Sequence, residues 1–218
     1  MANHSQETRA KITALRAFIP EHAKLGAEVL RADSGNLFPF DFLAVAALNR
    51  SLCLTTAFCD LIEARNFVAA APIIRLQLDN LLRLHAAHRV SNPHDFASEV
   101  LKGTHVDKLT DRDGTRMTDR HLADTLGIEY EWVPRVYENT SGYVHLSEKH
   151  IFNALGRVND DGTFQFKVSA TDEFVSDDLY LEAVDAFGEI THTVFRYLYG
   201  WAVTKEKAGG LRPPPDAA

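Results

Sequence analysis

Sulfur is scarce in this chain. Of 218 residues, two are cysteine and two methionine. Cys53 and Cys59 lie six positions apart, about 240° round a helix, so they face different ways. They form no CxxC pair, and there is no second pair to complete a zinc site. A disulfide framework is excluded, and the two read as reduced, buried thiols. Positive charge is also short, with 23 Lys and Arg against 30 Asp and Glu, a formal net charge of -7. Broad nucleic-acid affinity needs clustered Lys and Arg, so there is no DNA-binding signature. No unbroken apolar run approaches the roughly 18 residues that span a bilayer. The N-terminal "MANHSQETRAK" lacks an apolar signal core, so a cytoplasmic protein without a membrane partner is expected. Walker, Rossmann and G-x-S-x-G patterns are all missing, so no cofactor is expected.

What is present is helical periodicity. Apolar residues make up 45% and charged residues 24%, values that suit a globular domain with a sizeable core. Ile12, Leu15, Phe18, Ile19, Leu25, Val29 and Leu30 recur at helical spacing over 6–31, with Pro20 as a kink or a second helix start. "DSGNLFPF" breaks the chain at 33–40. A second long helix is expected over 41–64. A third covers 71–90, with Pro72 near its first turn, and the two are expected to form an antiparallel hairpin. Ser91 or Asn92 is placed to cap a short helix. Residues 103–118 read as an exposed polar loop. Short helices follow, broken at Pro134 and Gly142. "GRVNDDGTFQFKVS" alternates like a β-hairpin, at about 157–169. Ser176 then starts a long helix with the seam Tyr180, Val184, Phe187, Thr191, Val194, Leu198 and Trp201. The fold class expected is mainly α: a bundle of four or more long helices in one domain, 1–204. The Gly/Pro-rich 205–218 reads as a disordered tail.

The third helix carries the first candidate site. At about 100° per residue, Asp79 falls about 40° and Arg83 about 80° from Arg75, so the three share a narrow wedge on an otherwise apolar helix. Three readings stand: a solvated strip of i,i+4 ion pairs, a buried lock, or an anion- or phosphate-binding site. As a buried lock, the triad would need a carboxylate from another helix or a bound anion. His85 and His88 face away from the wedge and are secondary candidates.

A second candidate is "YENTSGYVHLSEKHIF", which gathers Asn139, Ser141, Tyr143, His145, Glu148 and His150 around Gly142. A histidine at a helix break can act as general base while Tyr or Asn orients a substrate, and the same groups can equally serve as caps and turns. Metal chemistry has weaker support. Glu189-x-x-His192 has the i,i+3 spacing of bundle ligands, but there is no second Glu-x-x-His pair. "DRDGTRMTD" lacks the closing Glu of a calcium loop. No metal site is expected, and a bundle metalloprotein is the least favoured reading.

With an all-helical pattern, an Arg/Asp-bearing central helix and "NTSGYVH" ending in His145, the chain resembles the HEPN-type helical proteins of bacterial toxin–antitoxin and phage-defence systems. It also resembles other uncharacterised bacterial helical families with a Tyr-Val-His stretch. The resemblance covers about residues 40–200. It implies a homodimeric bundle and, in active members, a metal-independent ribonuclease using an Arg-x(4–6)-His pair. Here Asn139, not Arg, stands six residues before His145. The spacing does occur at Arg16–His22, Arg83–His88, Arg89–His94 and Arg116–His121. In a chain that cleaves RNA, His145 is expected as the acid/base, Arg75 and Arg83 as phosphate-holding cations where the fold brings them near, and Tyr143 and Asn139 as orienting groups. The alternative is a non-enzymatic protein-interaction or assembly module, in which Arg75, Asp79 and Arg83 are an ion-pair lock. A cleft shared by His145 and Arg75 or Arg83 would favour the ribonuclease, and separate placement the module.

Overall fold

Several helices begin where the sequence offers caps. In a computed structural model, Ser5 accepts from the Thr8 amide and opens α1 (Gln6–Arg16). Pro20 lies in the first turn of α2 (Phe18–Arg31), where its missing N–H costs nothing. The structure describes residues 4–145, 147–158, 163–166, 168–172 and 174–210. A turn with successive positive φ values at Asp33, Ser34 and Gly35 leads into α3 (Pro39–Glu63). Asn66 accepts from the Ala69 amide at 3.2 Å and caps α4 (Phe67–Arg89). Asn92 caps α5 (Pro93–Leu101) by accepting from the His94 amide at 2.9 Å. Then come α6 (Asp119–Leu126), α7 (Trp132–Val144), α8 (Glu148–Ala154) and α9 (Asp177–Gly210). Ser176 Oγ accepts from the Leu179 amide at 3.3 Å and opens α9.

The protein is a mainly α helical bundle. α4 is its centre, packing against α3, α9, α7, α6 and α5. The α9 seam is buried: Tyr180, Phe187, Thr191, Val194 and Leu198 have no exposed surface. Phe58 of α3 stacks on Phe187 with ring centroids 4.3 Å apart. Buried polar groups between α2, α3, α4 and α9 satisfy one another. Ser51 Oγ meets His22 Nε2 at 2.9 Å and accepts from Gln77 Nε2 at 2.6 Å, while Gln77 Oε1 accepts from Asn80 at 3.0 Å.

Several expectations need correction. Pro72 is not in the first turn, because α4 starts at Phe67. It lies inside the helix, where the Val68 carbonyl goes without the amide that residue 72 would otherwise supply. Residues 103–118 are not simply an exposed loop. Met117 and the Asp111 side chain are fully buried, and Thr110 bridges to Arg116. α7 runs through Gly142 and ends at Val144, so the break falls three residues later. The tail expected from 205 is helical as far as Gly210, because Lys205 is buried against Asp41; residues 211–218 lie outside the described residues. The hairpin at about 157–169 is not supported as read. Its turn, 159–162, lies outside the described residues. Strands β1 (Leu155–Val158) and β2 (Phe164–Phe166) pair antiparallel in an irregular register. Finally, α3 holds an 18-residue window of mean hydropathy 1.5, enough by length and composition to cross a membrane. Asn49, Arg50, Ser51 and Thr55 interrupt its apolar run without lowering the average far. Its inner face lies in the core.

Candidate functional site

The wedge on α4 is the middle of a ladder of ion pairs. Arg75 does not pair with Asp79. It donates to Asp119 of α6 at 2.6 Å and lies over the Tyr137 ring at 4.7 Å. Arg83 donates to Asp79 and to Asp119, both at 2.6 Å. Arg50 of α3 closes the other end, donating to Asp79 at 2.7 Å and Asn80 at 2.9 Å. The carboxylate from another helix that a lock requires is therefore Asp119. These side chains are 14–40% exposed, so the ladder is half-buried rather than freely solvated. Burial alone would lower the Arg83 pKa, but the charges of Asp79 and Asp119 outweigh it and hold the guanidinium protonated. Burial likewise pushes Asp119 up, and the two arginines overcome that and hold it ionised. Three arginines against two aspartates leave one positive charge.

The secondary histidines have structural partners. His85 shares hydrogen bonds with Tyr197 Oη at 3.0 Å and Thr125 Oγ1 at 3.1 Å. Burial first, then the nearby Arg89, His88 and His121, push its pKa down to about 4, so it is neutral at pH 7. His88 donates Nδ1–H to the Leu84 carbonyl at 2.9 Å and packs edge-on to Tyr197.

His145 is exposed at the C-terminal end of α7. Among the described residues, no hydrogen bond or ion pair joins it to Arg75 or Arg83. The Arg75 contact on α7 is Tyr137, eight residues and about 12 Å of helix rise before His145. Ser147 Oγ donates to the Gly142 carbonyl at 2.6 Å, and the Ser147 amide donates to His150 Nδ1 at 3.2 Å, which makes this part of the cluster a capping turn. Asn139 and Tyr143 line a groove whose walls do not include His145. They lie with Arg135 along one stripe of α7 that faces it.

That groove is the feature the sequence reading missed. It lies between α7 and α9, with α4 as its floor, and encloses about 660 Å³. Phe67, Ala71 and Ile74 make the floor apolar, joined by Ala183 and Ala186 of α9. The α7 side is aromatic and cationic, with Trp132, Arg135, Tyr143 and then Lys149 of α8. Lys149 Nζ stands 5.0 Å from the Tyr143 ring centroid and donates to the Asn139 carbonyl at 2.5 Å. The α9 side is acidic. Asp178, Glu182, Asp185 and Glu189 follow at steps of four, three and four, which is one helix face. Lys11 pairs with Asp185 at 2.6 Å. Among the described residues, no cation pairs with Asp178, Glu182 or Glu189. The sequence signal was that four-three-four spacing of acids beside the α9 seam.

Metal chemistry gains no support here. Glu189 lines the groove, whereas His192 packs its ring against Phe18 at 4.7 Å. Among the described residues, no three His, Cys, Asp or Glu side chains converge as a metal site. Compared with known proteins, the chain matches no family model, no curated protein and no solved structure.

Proposed function

We propose that this chain is a helical interaction module whose α7–α9 groove receives an amphipathic helical segment of a partner protein. The observation that carries the reading is the pairing of an apolar floor with an acidic row in which Asp178, Glu182 and Glu189 have no cationic partner among the described residues, Asp185 alone being paired, with Lys11. Such a groove selects a ligand with an apolar stripe and Lys or Arg along the edge that meets α9. The acidic row runs from Asp178 to Glu189, about 16 Å of helix, or three turns. That length matches helix-in-groove recognition by i, i+3 or i+4, and i+7 anchors. The reading keeps the HEPN-like, toxin- or defence-type context as its setting: a module that works through a partner rather than by cutting RNA. The separate placement of His145 and the Arg75–Asp119–Arg83 ladder supports this choice over the ribonuclease.

The test is fluorescence anisotropy with two designed helical peptides that share one leucine stripe, one flanked by lysines and one by glutamates. The lysine peptide is expected to bind and to weaken as salt rises. Equal binding of both peptides, or of neither, would refute the reading.

A further inference from the structure

The α7 side of the groove carries positive charge that no carboxylate among the described residues answers. Arg135 is exposed on the groove wall and makes no hydrogen bond or ion pair there. Lys149 meets only uncharged groups, the Asn139 carbonyl and the Tyr143 ring. Glu138, the one acid of α7, is taken by Arg120 at 2.8 Å. Gly142 gives Lys149 its path across α7. A Cβ at position 142 would stand 3.2 Å from both Cδ and Cε of the lysine. Glycine leaves that space clear, so the lysine reaches the groove beside Tyr143.

Ring and hydrogen-bond contacts fix how the walls run. Phe67 packs edge-on to Tyr143 at 5.7 Å and to Tyr180 at 5.3 Å. Further along α4, Arg75 lies over Tyr137 and Gln77 donates to Thr191 at 3.0 Å. So α9 runs with α4, and α7 runs against both. Lys149 and Tyr143 stand at the Asp178 end of the groove, and Arg135 lies towards the Glu189 end. A cationic wall therefore faces an acidic wall along one stretch. Among the described residues no ion pair joins them, and about 660 Å³ lies between.

A ligand that covers the apolar floor takes water from both walls, so each wall needs its own counter-charge. A uniformly basic ligand serves α9 and sets like charge against Arg135 and Lys149. The Lys149 ammonium sits at the level of Asn139, four residues and ~6 Å of helix rise from Arg135. Two carboxylates at i and i+4 on a helix have that same spacing. Resting on the reading of the groove as a helix site, we infer that the partner helix carries opposite charge on its two edges. Lys or Arg faces α9, and an acidic i,i+4 pair faces Arg135 and Lys149. Such a helix seats in one direction only, because turning it end for end sets each edge against like charge.

The experiment is fluorescence anisotropy of the full chain with two leucine-striped helical peptides. Both carry lysines on one edge. On the other edge one has glutamates at i and i+4, and the second has glutamines in their place. The glutamate peptide is expected to bind about three- to tenfold tighter, the sum of two partly exposed ion pairs, with the gap closing as salt rises. Arg135→Gln with Lys149→Gln is expected to remove the difference, with far-UV circular dichroism unchanged. Equal Kd values on the wild type overturn this inference and leave the groove reading standing. Binding of neither peptide overturns both. A glutamate preference that survives in the double variant overturns the inference, because other groups then read that edge. Displacement of the peptide by an equal concentration of spermine also overturns it, since a small polycation then fills the groove.

Discussion

Removing the Asp41 carboxylate should be among the most damaging single changes in this protein, for a reason that a second substitution can isolate. Asp41 accepts from Lys205 Nζ at 2.9 Å, from Trp201 Nε1 at 2.7 Å and from the Phe38 amide at 2.8 Å. Lys205 also donates to the Val29 carbonyl at 2.9 Å, and neither charged side chain is more than 1% exposed. Asp41→Ala therefore leaves a buried ammonium with no counter-charge, a change that costs about 3–5 kcal/mol. Loss of the α3 cap adds about 1 kcal/mol. Domains of this kind are stable by only about 5–15 kcal/mol, so a loss of roughly 4–6 kcal/mol is severe. At about 2–4 °C per kcal/mol for a chain of this size, the Tm should fall by roughly 8–24 °C. Asp41→Leu with Lys205→Met removes both charges, and a buried pair replaced by apolar groups is often neutral in stability. The cap and the Trp201 N–H remain unserved, so the double variant should lose only about 1–3 kcal/mol. Urea unfolding of the wild type, Asp41→Leu, Lys205→Met and the double variant closes the cycle. A coupling under about 0.5 kcal/mol would refute the reasoning, since independent sites add to within that margin.

Other perturbations follow from the same contacts. His85 is held neutral with a pKa near 4 against about 6.5 when unfolded. Between those values the unfolded chain binds the extra proton, so stability falls as pH drops from 6.5 to 4, by about 3 kcal/mol in all. His85→Gln should flatten that part of the pH–stability curve, and an unchanged slope would contradict the assignment. Asp119→Ala strips a partner from both Arg75 and Arg83 in a half-buried ladder. It should cost about 1–3 kcal/mol, between the surface and buried limits, as read by denaturant midpoint. RNA incubated in EDTA with wild type or His145→Ala should show no cleavage that depends on His145. Cleavage lost only in the variant would restore the ribonuclease reading.

The bundle was legible because its evidence is local. The α9 seam from Tyr180 to Leu198 and the caps Asn92 and Ser176 depend on residues a turn or two apart. The site was legible only in fragments. Arg75, Asp79 and Arg83 were visible as a strip, but their shared partner Asp119 comes from a helix 36 residues beyond Arg83, and nothing in the spacing points to it. Lys205 read as part of a polar tail because its counter-charge, Asp41, is 164 positions away. Gly142 looked like a break because isolated glycine weakens a helix, yet packing on α4 carries α7 through it. Tyr143, within α7, lines the groove, whereas His145, just past the end of α7, does not.

The most direct test of the central claim exchanges charge across the groove. Glu182→Lys with Glu189→Lys should abolish binding of the lysine-flanked peptide and create binding of the glutamate-flanked one, with helicity unchanged. If the reversed protein keeps its original preference, the α9 acidic row does not read the ligand, and the groove is not the binding site this account proposes.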